Sequence, residues 1–213
     1  MEKICGDVDL FWYVGKRDKY PCKTIQAGNL MKARNKALDD SFDDGESCLM
    51  LDDDLVKIYI AAIDAENQKV KFQITFADMV DIMADRLEST NLKMAGILPT
   101  SNLYFVPKAG IGLKHFCIAS CIMVKPNPLR FDTRLKTKED YDYTLQHIKK
   151  YGGVCRINSL MPQFLHYSNQ GGCQTFRSLA VEKQSVQYLK KKWGTKTIRD
   201  NPRREGEILL QVK

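Results

Sequence analysis

This chain of 213 residues lacks the features that mark membrane, secreted and zinc-binding proteins. It has no apolar run long enough to cross a bilayer, so a membrane-spanning helix is not expected. Its first residues contain no secretory apolar segment, and we therefore expect the protein in the cytoplasm. Its seven cysteines form no CxxC pair and no Cys/His ligand spacing. Neither a disulfide framework nor a structural zinc site is indicated.

Charge is present in both signs but is unevenly placed. The net charge is +7, yet residues 39–54 are strongly acidic, and a helical segment at about 180–213 is basic. The basic residues of that segment include Lys190, Lys191, Lys192, Lys196, Arg199, Arg203 and Arg204. This asymmetry suits a protein that handles polyanions such as nucleotide diphosphates or nucleic acid. Solvated surface is the alternative for any single lysine.

The most informative stretch is an apolar run, Cys48 to Leu51, that ends in Asp52, Asp53 and Asp54. Three like charges at the mouth of a buried strand repel one another unless a cation sits there. Hard divalent cations take carboxylate oxygens as ligands, and ligands of α/β proteins collect at the carboxyl ends of strands. An acidic solvated turn is the alternative interpretation of the triplet.

The pattern of elements predicts a single α/β domain over residues 1–213, Rossmann-like, with a mixed, mainly parallel central sheet. A strand at 9–14, a helix at 29–42 and a strand at 47–51 suggest a parallel pair. Further strands are predicted at 69–75, 104–106, 116–124, 154–160 and 163–167. Helices are predicted from Thr75 to Glu88, at 137–150 and at 185–193.

Two helices carry candidate site residues. Arg34 and Asn35 lie in the helix before the acidic triplet, where Arg can bind phosphates and Asn can orient a sugar hydroxyl. Glu139, Asp140 and Asp142 open a later helix, and a carboxylate there could accept a hydroxyl proton. Ordinary helix positions and favourable placement at a helix N-terminus are the alternatives.

A polar loop near residue 170 supplies the last candidates. His166 ends a predicted strand, and Gly171 and Gly172 follow in a loop that could close over phosphates. Of the three histidines, this one is best placed to be a ligand.

The stretches ARNKALD and LMLDDDL resemble the GT-A glycosyltransferase fold, in which an Arg-Asn helix leads into a strand ending in D-x-D. The later stretches FDTR, KEDYDY, GGVCRIN and NQGGCQTFR are similar to the bacteriophage branch related to the base J glucosyltransferase. That branch is associated with glycosylation of hydroxymethylated pyrimidines, such as hydroxymethylcytosine, in DNA. The resemblance covers residues 30–177, and if the chain is phage-encoded its compartment is the host cytoplasm.

The resemblance implies a set of roles. Asp54 would be the principal metal ligand for Mn²⁺ or Mg²⁺, with Asp52 on the nucleotide ribose or a metal-bound water and His166 as a further ligand. Asp140, beside Glu139, falls at the catalytic carboxylate, which is a base if the reaction inverts the anomeric centre.

The donor implied by the resemblance is a nucleotide-sugar, with a UDP-sugar expected. The further donor-binding candidates are Arg34, Asn35, Asp53, Arg17, Gly171, Gly172 and Arg177. The sequence departs from the family pattern before the Arg-Asn helix, where the βαβ unit that grips the base is short. Either residues 11–18, which include Arg17, supply a reduced base pocket, or the first unit is missing.

Two other functions compete with this interpretation. A nucleotidyltransferase or metal-dependent phosphoesterase would need a second carboxylate cluster, which Asp140 and Asp142 could supply. A non-catalytic nucleic-acid-binding protein on a GT-A scaffold would not need Asp54, Asp140 and His166.

Overall fold

The structure, a computed structural model, describes residues 5, 10–14, 24–165 and 178–212. Helices and strands alternate along much of the chain, which confirms the predicted α/β class. The helices are α1 (Leu30–Asp43), α2 (Phe76–Thr90), α3 (Glu139–Tyr151) and α4 (Leu179–Trp193). The strands are β1 (Trp12–Val14), β2 (Thr24–Gln26), β3 (Cys48–Leu51), β4 (Leu55–Ile63), β5 (Lys69–Ile74), β6 (Met94–Ile97), β7 (Ile111–Gly112), β8 (Cys121–Val124), β9 (Cys155–Ile157), β10 (Leu160–Phe164), β11 (Ile198–Asp200) and β12 (Ile208–Leu210).

Two helices begin at polar side chains that cap their first turns. The Asn29 side chain accepts a hydrogen bond from the Lys32 backbone N–H at 3.0 Å and begins α1. Thr75 and Asp78 exchange side-chain and backbone bonds in a capping box at the start of α2. These bonds satisfy N–H groups that have no partner within the helix. Helix α4 begins earlier than predicted because Ser178 caps it.

The central sheet has the strand order β3-β8-β6-β9-β7. Only β6 and β9 pair in parallel, and the other three pairings are antiparallel. The expectation of a mainly parallel sheet is therefore wrong, because β8 inserts between β3 and β6 in the opposite direction. Strands β3, β6 and β9 still run the same way, so their carboxyl ends share one edge of the sheet.

The first predicted strand pair is also wrong. Strand β1 pairs in parallel with β2, at Trp12–Thr24 through Val14–Gln26, and not with β3. The sequence-based interpretation overlooked β2, which provides the partner.

The acidic triplet joins two sheets. Directly after Asp54 the chain enters β4, which lies in the middle of a second, antiparallel sheet with the order β10-β4-β5. Strands β11 and β12 form a separate antiparallel pair near the C-terminal end of the described chain.

Helices cover both faces of the central sheet. Side chains of α2, including Met79, Met83 and Leu87, pack with β6 and β9 on one face, and all three are fully buried. Leu38 of α1 and Tyr143 of α3 pack with β8 on the other face. Burial of each such side chain contributes about 1.5–3 kcal/mol. In the described part of the chain, no helix combines the length and apolar character needed to cross a bilayer.

Two predicted strands differ from the structure. Residues 103–105 form a short 3₁₀ turn and not a strand, because the Asn102 side chain accepts a bond from the Tyr104 N–H at 3.0 Å. Of the run at 116–124, only Cys121–Val124 is a strand.

Candidate active site

Asp52 is held at the end of β3 by Ser120, the residue before β8. The Ser120 hydroxyl donates to Asp52 Oδ2 at 2.6 Å, and the Asp52 backbone N–H donates to the Ser120 carbonyl at 3.0 Å. Sequence reasoning missed Ser120, although a serine within the apolar run FCIASCIMV was an available signal. Asp53 is exposed and Asp54 is partly buried, so the three carboxylates do not share one environment.

Arg34 connects the acidic triplet to the start of α3. Its Nη1 lies 2.5 Å from Glu139 Oε1, and its Nη2 lies 3.4 Å from Asp52 Oδ1. The Arg34 and Glu139 side chains are each only 10% exposed, so this ion pair is shielded from water. Although residues 34, 52 and 139 are far apart in sequence, the fold brings all three predicted site residues together.

This arrangement makes Arg34 a positioning residue, since its guanidinium is shared between two carboxylates. A direct contact from Arg34 to a diphosphate stays a prediction. Asn35 also has a structural partner: its amide donates to the Phe131 carbonyl at 2.9 Å and accepts from the Phe131 N–H at 2.7 Å. These bonds fix the chain that leads into α3, and a contact from Asn35 to a sugar hydroxyl stays a prediction.

Asp140 follows Glu139 in the first turn of α3 and has an unusual environment. Burial, together with repulsion from Glu139, raises the pKa of Asp140 well above the usual range of a carboxyl group. Arg34, the Tyr141 backbone N–H and Lys138 oppose that rise but do not cancel it. A carboxyl group with such a pKa is well matched to accept a proton near neutral pH.

The backbone at the start of α3 is strained. Lys138 has a φ of 63°, in the left-handed region that few residues other than glycine adopt. Its ammonium group lies 2.6 Å from Glu182 Oε2 of α4, and both side chains are nearly buried. This tertiary contact holds the conformation that places Glu139 and Asp140, consistent with the concentration of backbone strain at functional sites.

Asp142, the third acid of this turn, has a structural role. It is fully buried and accepts bonds from Trp193 Nε1 at 2.7 Å, from Gln146 Nε2 at 2.7 Å and from Lys192 Nζ. These contacts fasten α3 to α4. Asp142 is therefore not available to hold a second metal ion.

The basic C-terminal segment is less open than its composition suggested. Lys190 Nζ lies 2.6 Å from Asp200, and Lys192 Nζ lies 2.9 Å from Asp132 and 2.8 Å from Asp142. Lys191 is exposed, and within the described part of the chain it forms no ion pair. Two of the three lysines thus contribute to the packing of α4.

The oxygen donors of the triplet fit a hard divalent cation, since Mg²⁺ and Mn²⁺ prefer carboxylate oxygens. Within the described ranges, no group of three or more His, Cys, Asp or Glu side chains could hold a metal ion. The expected ligand His166 lies outside those ranges, as do Arg17, Gly171, Gly172 and Arg177.

A cavity of about 210 Å³ lies beside the triplet, lined by Pro99, Thr100, Ser101, Ile118, Pro162 and Phe164. Phe164 lies opposite Leu55, the residue that follows Asp54 in the chain. The Leu165 N–H donates to the Asp54 carbonyl. Another lining residue, Ile118, is two residues from Ser120. A larger cavity of about 450 Å³, whose lining includes Arg86, Ile111 and Ile157, lies towards the opposite edge of the central sheet. Through Phe164 and Ile118, the smaller cavity adjoins the chain segments that hold Asp54 and Ser120.

Comparison with protein-family models, with curated proteins and with solved structures found no match for the chain. The chemistry of this site and the resemblance of its sequence stretches are therefore the guides to function.

Proposed function

We propose that this protein is a metal-dependent glycosyltransferase built on a single GT-A-like domain. It would move a sugar from a nucleotide-sugar, with a UDP-sugar as the expected donor, to a hydroxyl acceptor. The observation that supports this most is the Arg34 contact to both Asp52 and Glu139. This contact connects Asp52, a carboxylate at the end of β3 that is suited to bind a cation, with the start of α3, which carries the candidate base Asp140.

Asp54 and Asp52 would hold Mn²⁺ or Mg²⁺, with His166 as a further ligand from the family resemblance. A bound divalent cation neutralises the charge that develops on a departing nucleoside diphosphate. Ser120 and Arg34 each contact one oxygen of Asp52, so the orientation of this carboxylate is set before donor binds. Asp53, Arg17, Gly171, Gly172 and Arg177 remain predicted donor contacts.

Asp140 would act as the general base in an inverting displacement. The acceptor oxygen forms a bond to the anomeric carbon of the sugar while the bond from that carbon to the diphosphate oxygen breaks. The acceptor proton passes to a carboxylate oxygen of Asp140, and the nucleoside diphosphate leaves. The raised pKa of Asp140 supports this role, because a stronger base takes the proton more readily.

The acceptor that we propose is a hydroxymethylated pyrimidine in phage DNA. A target base inside a duplex is out of reach of an enclosed site, so it would have to leave the stack. The cavity beside the triplet, with its two hydroxyl-bearing residues Thr100 and Ser101, offers a place for such a base.

The decisive experiment is mass spectrometry of digested DNA after incubation with the protein, Mn²⁺ and a panel of nucleotide-sugars. We expect hydroxymethylated DNA to gain the mass of one hexose or pentose on the modified pyrimidine. Unmodified DNA and the Asp54→Asn variant serve as controls and should gain nothing. No sugar transfer to any DNA substrate, with intact protein and every donor, would refute the proposed acceptor.

The nucleotidyltransferase or phosphoesterase alternative is weakened by Asp142. That alternative needs a second carboxylate cluster, and Asp142 is already engaged by Lys192 and Trp193. Products formed from a nucleoside triphosphate instead of a nucleotide-sugar would nevertheless favour it. A non-catalytic binding protein would hydrolyse no donor in the presence of metal.

A further inference from the structure

One face of β4 and β5 carries basic and aromatic side chains. In this antiparallel pair Ala61 lies opposite Lys71, Ile63 opposite Lys69 and Tyr59 opposite Gln73, and Lys57 lies opposite Gln163 of β10. Since alternate residues of a strand point to the same side, Lys57, Tyr59, Lys69 and Lys71 lie on one face. These four residues are named the basic strand face.

An exposed aromatic turn borders this face. Tyr104 is 81% exposed and Phe105 is 60% exposed, with their rings edge to face at 5.2 Å. Lys69 Nζ donates to the carbonyls of Leu103, Tyr104 and Val106 at 3.4, 3.5 and 2.8 Å. The ammonium of Lys69 therefore anchors the turn, and two large aromatic rings are presented to solvent from a fixed position.

The basic strand face leads to the small cavity at the candidate active site. Lys71 Nζ lies 4.5 Å from the centre of the Tyr59 ring and donates to the Ser101 carbonyl at 3.2 Å. Ser101 is also part of the cavity lining. The exposed rings, the lysines and the cavity beside the acidic triplet thus form one continuous surface.

The lysines of the basic strand face have no carboxylate partner in an ion pair within the described ranges. Among the described residues, no carboxylate forms an ion pair with Lys57 or Lys71, in contrast to the pairs made by Lys190 and Lys192. Uncompensated lysines between aromatic rings suit a polyanion whose units can also stack. An acidic peptide would match the charge but has no bases that could stack on the exposed rings.

We propose that this surface binds an unpaired DNA strand. Lys57 and Lys71 contact phosphates, Tyr104 and Phe105 stack on bases, and the cavity receives the base that bears the acceptor hydroxyl. The choice of DNA and the placement of that base rest on the proposed function, whereas binding of an unpaired polynucleotide strand follows from the charge and the aromatic rings. It also moves the expected DNA contact away from the basic C-terminal segment.

The test is a fluorescence-anisotropy titration of the full chain with a labelled single-stranded oligodeoxynucleotide at several salt concentrations. The plot of log K against log salt has a negative slope. The double variant Lys57→Ala/Lys71→Ala should reduce the magnitude of that slope by about 1.4, since each phosphate contact in a single strand contributes about 0.7. Tyr104→Ala should weaken binding about 5- to 150-fold, the loss that one stacked base accounts for.

Lys191→Ala/Lys196→Ala is the matched control, because it removes the same charge from two exposed lysines elsewhere and should leave the slope unchanged. Thermal melting of each variant shows whether it is folded. An unchanged slope in a folded Lys57/Lys71 variant would overturn the proposal, and so would unchanged affinity in Tyr104→Ala. Equal binding of poly-glutamate and of the oligonucleotide would indicate an acidic-peptide surface and would also overturn it.

A separate assay of metal-dependent nucleotide-sugar hydrolysis by the wild-type protein keeps the two proposals distinct. Hydrolysis without the expected DNA-binding results would contradict this surface alone. The expected DNA-binding results with no reaction of any nucleotide-sugar would leave this surface in place and contradict the glycosyltransferase.

Discussion

Replacing Asp140 by Asn should remove catalysis and at the same time stabilise the protein. Asparagine keeps an oxygen that can accept from the Tyr141 N–H, which donates to Asp140 Oδ1 at 2.9 Å, so the local geometry can persist. It cannot ionise, and it cannot take a proton from an acceptor hydroxyl. We expect turnover to fall by several orders of magnitude while donor affinity is nearly kept, because a general base acts mainly in the transition state.

The gain in stability follows from the raised pKa of Asp140. The pKa of this carboxyl group in the unfolded chain is about 3.9. At a pH between that value and the higher pKa of the folded protein, the Asp140 carboxyl group is ionised in the unfolded chain and protonated in the folded protein. Stability therefore falls as pH rises through that window, and the Asn variant escapes this fall. Each unit by which the pKa is raised corresponds to about 1.4 kcal/mol. Relative to the wild type, the free energy of unfolding of the variant should thus be higher by at least about 1.4 kcal/mol at a pH above this window. Below about pH 3.9 the two proteins should be almost equally stable.

Urea denaturation of both proteins across this pH range measures the difference directly. Asp142→Asn is the matched control on the same helix turn: it removes a buried carboxylate with strong partners and should lower stability by about 3 kcal/mol. If Asp140→Asn is less stable than the wild type at neutral pH, Asp140 is a structural residue. Normal kcat with a raised KM would make it a binding residue.

Three further substitutions test the rest of the site. Glu139→Gln should lower the free energy of unfolding by about 3–5 kcal/mol, because Arg34 loses its buried partner, and a change below 1 kcal/mol in denaturant titrations would contradict this. Ser120→Ala should lower stability by about 1 kcal/mol through the lost bond to Asp52 and should weaken donor binding in Mn²⁺, as measured by calorimetry; unchanged donor affinity would show that Asp52 needs no such support. Asp54→Asn should abolish metal-dependent donor binding and keep the fold, so unchanged nucleotide-sugar affinity in Mn²⁺ would place the metal elsewhere.

Local features of this fold could be predicted from sequence. Asn29 and Thr75 have side chains that bond to the first free N–H groups of a helix, and that chemistry depends on only a few neighbouring residues. The position of the acidic triplet at a strand end was predictable for the same reason, since an apolar run stops where three charges begin.

Long-range features could not be predicted. The antiparallel direction of β8 depends on its two neighbours in the sheet and leaves no mark in its own sequence. Likewise, no residue near Asp142 in the sequence indicates its contacts with Trp193 and Lys192. The roles of Glu139, Asp140 and Asp142 therefore could not be told apart from the sequence. Fold contacts separate them into an ion-pair partner of Arg34, a candidate base and an anchor for α4.

The attachment of α4 to α3 has a consequence for synthesis of the protein. Lys192 and Trp193 follow Asp142 by 50 and 51 residues, and Glu182 reaches back to Lys138 in the same way. A nascent chain that has emerged only as far as α3 lacks the side chains that fix the turn holding Asp140. The candidate base should therefore reach its working position only after α4 has left the ribosome, which makes the C-terminal helix the step that completes the site.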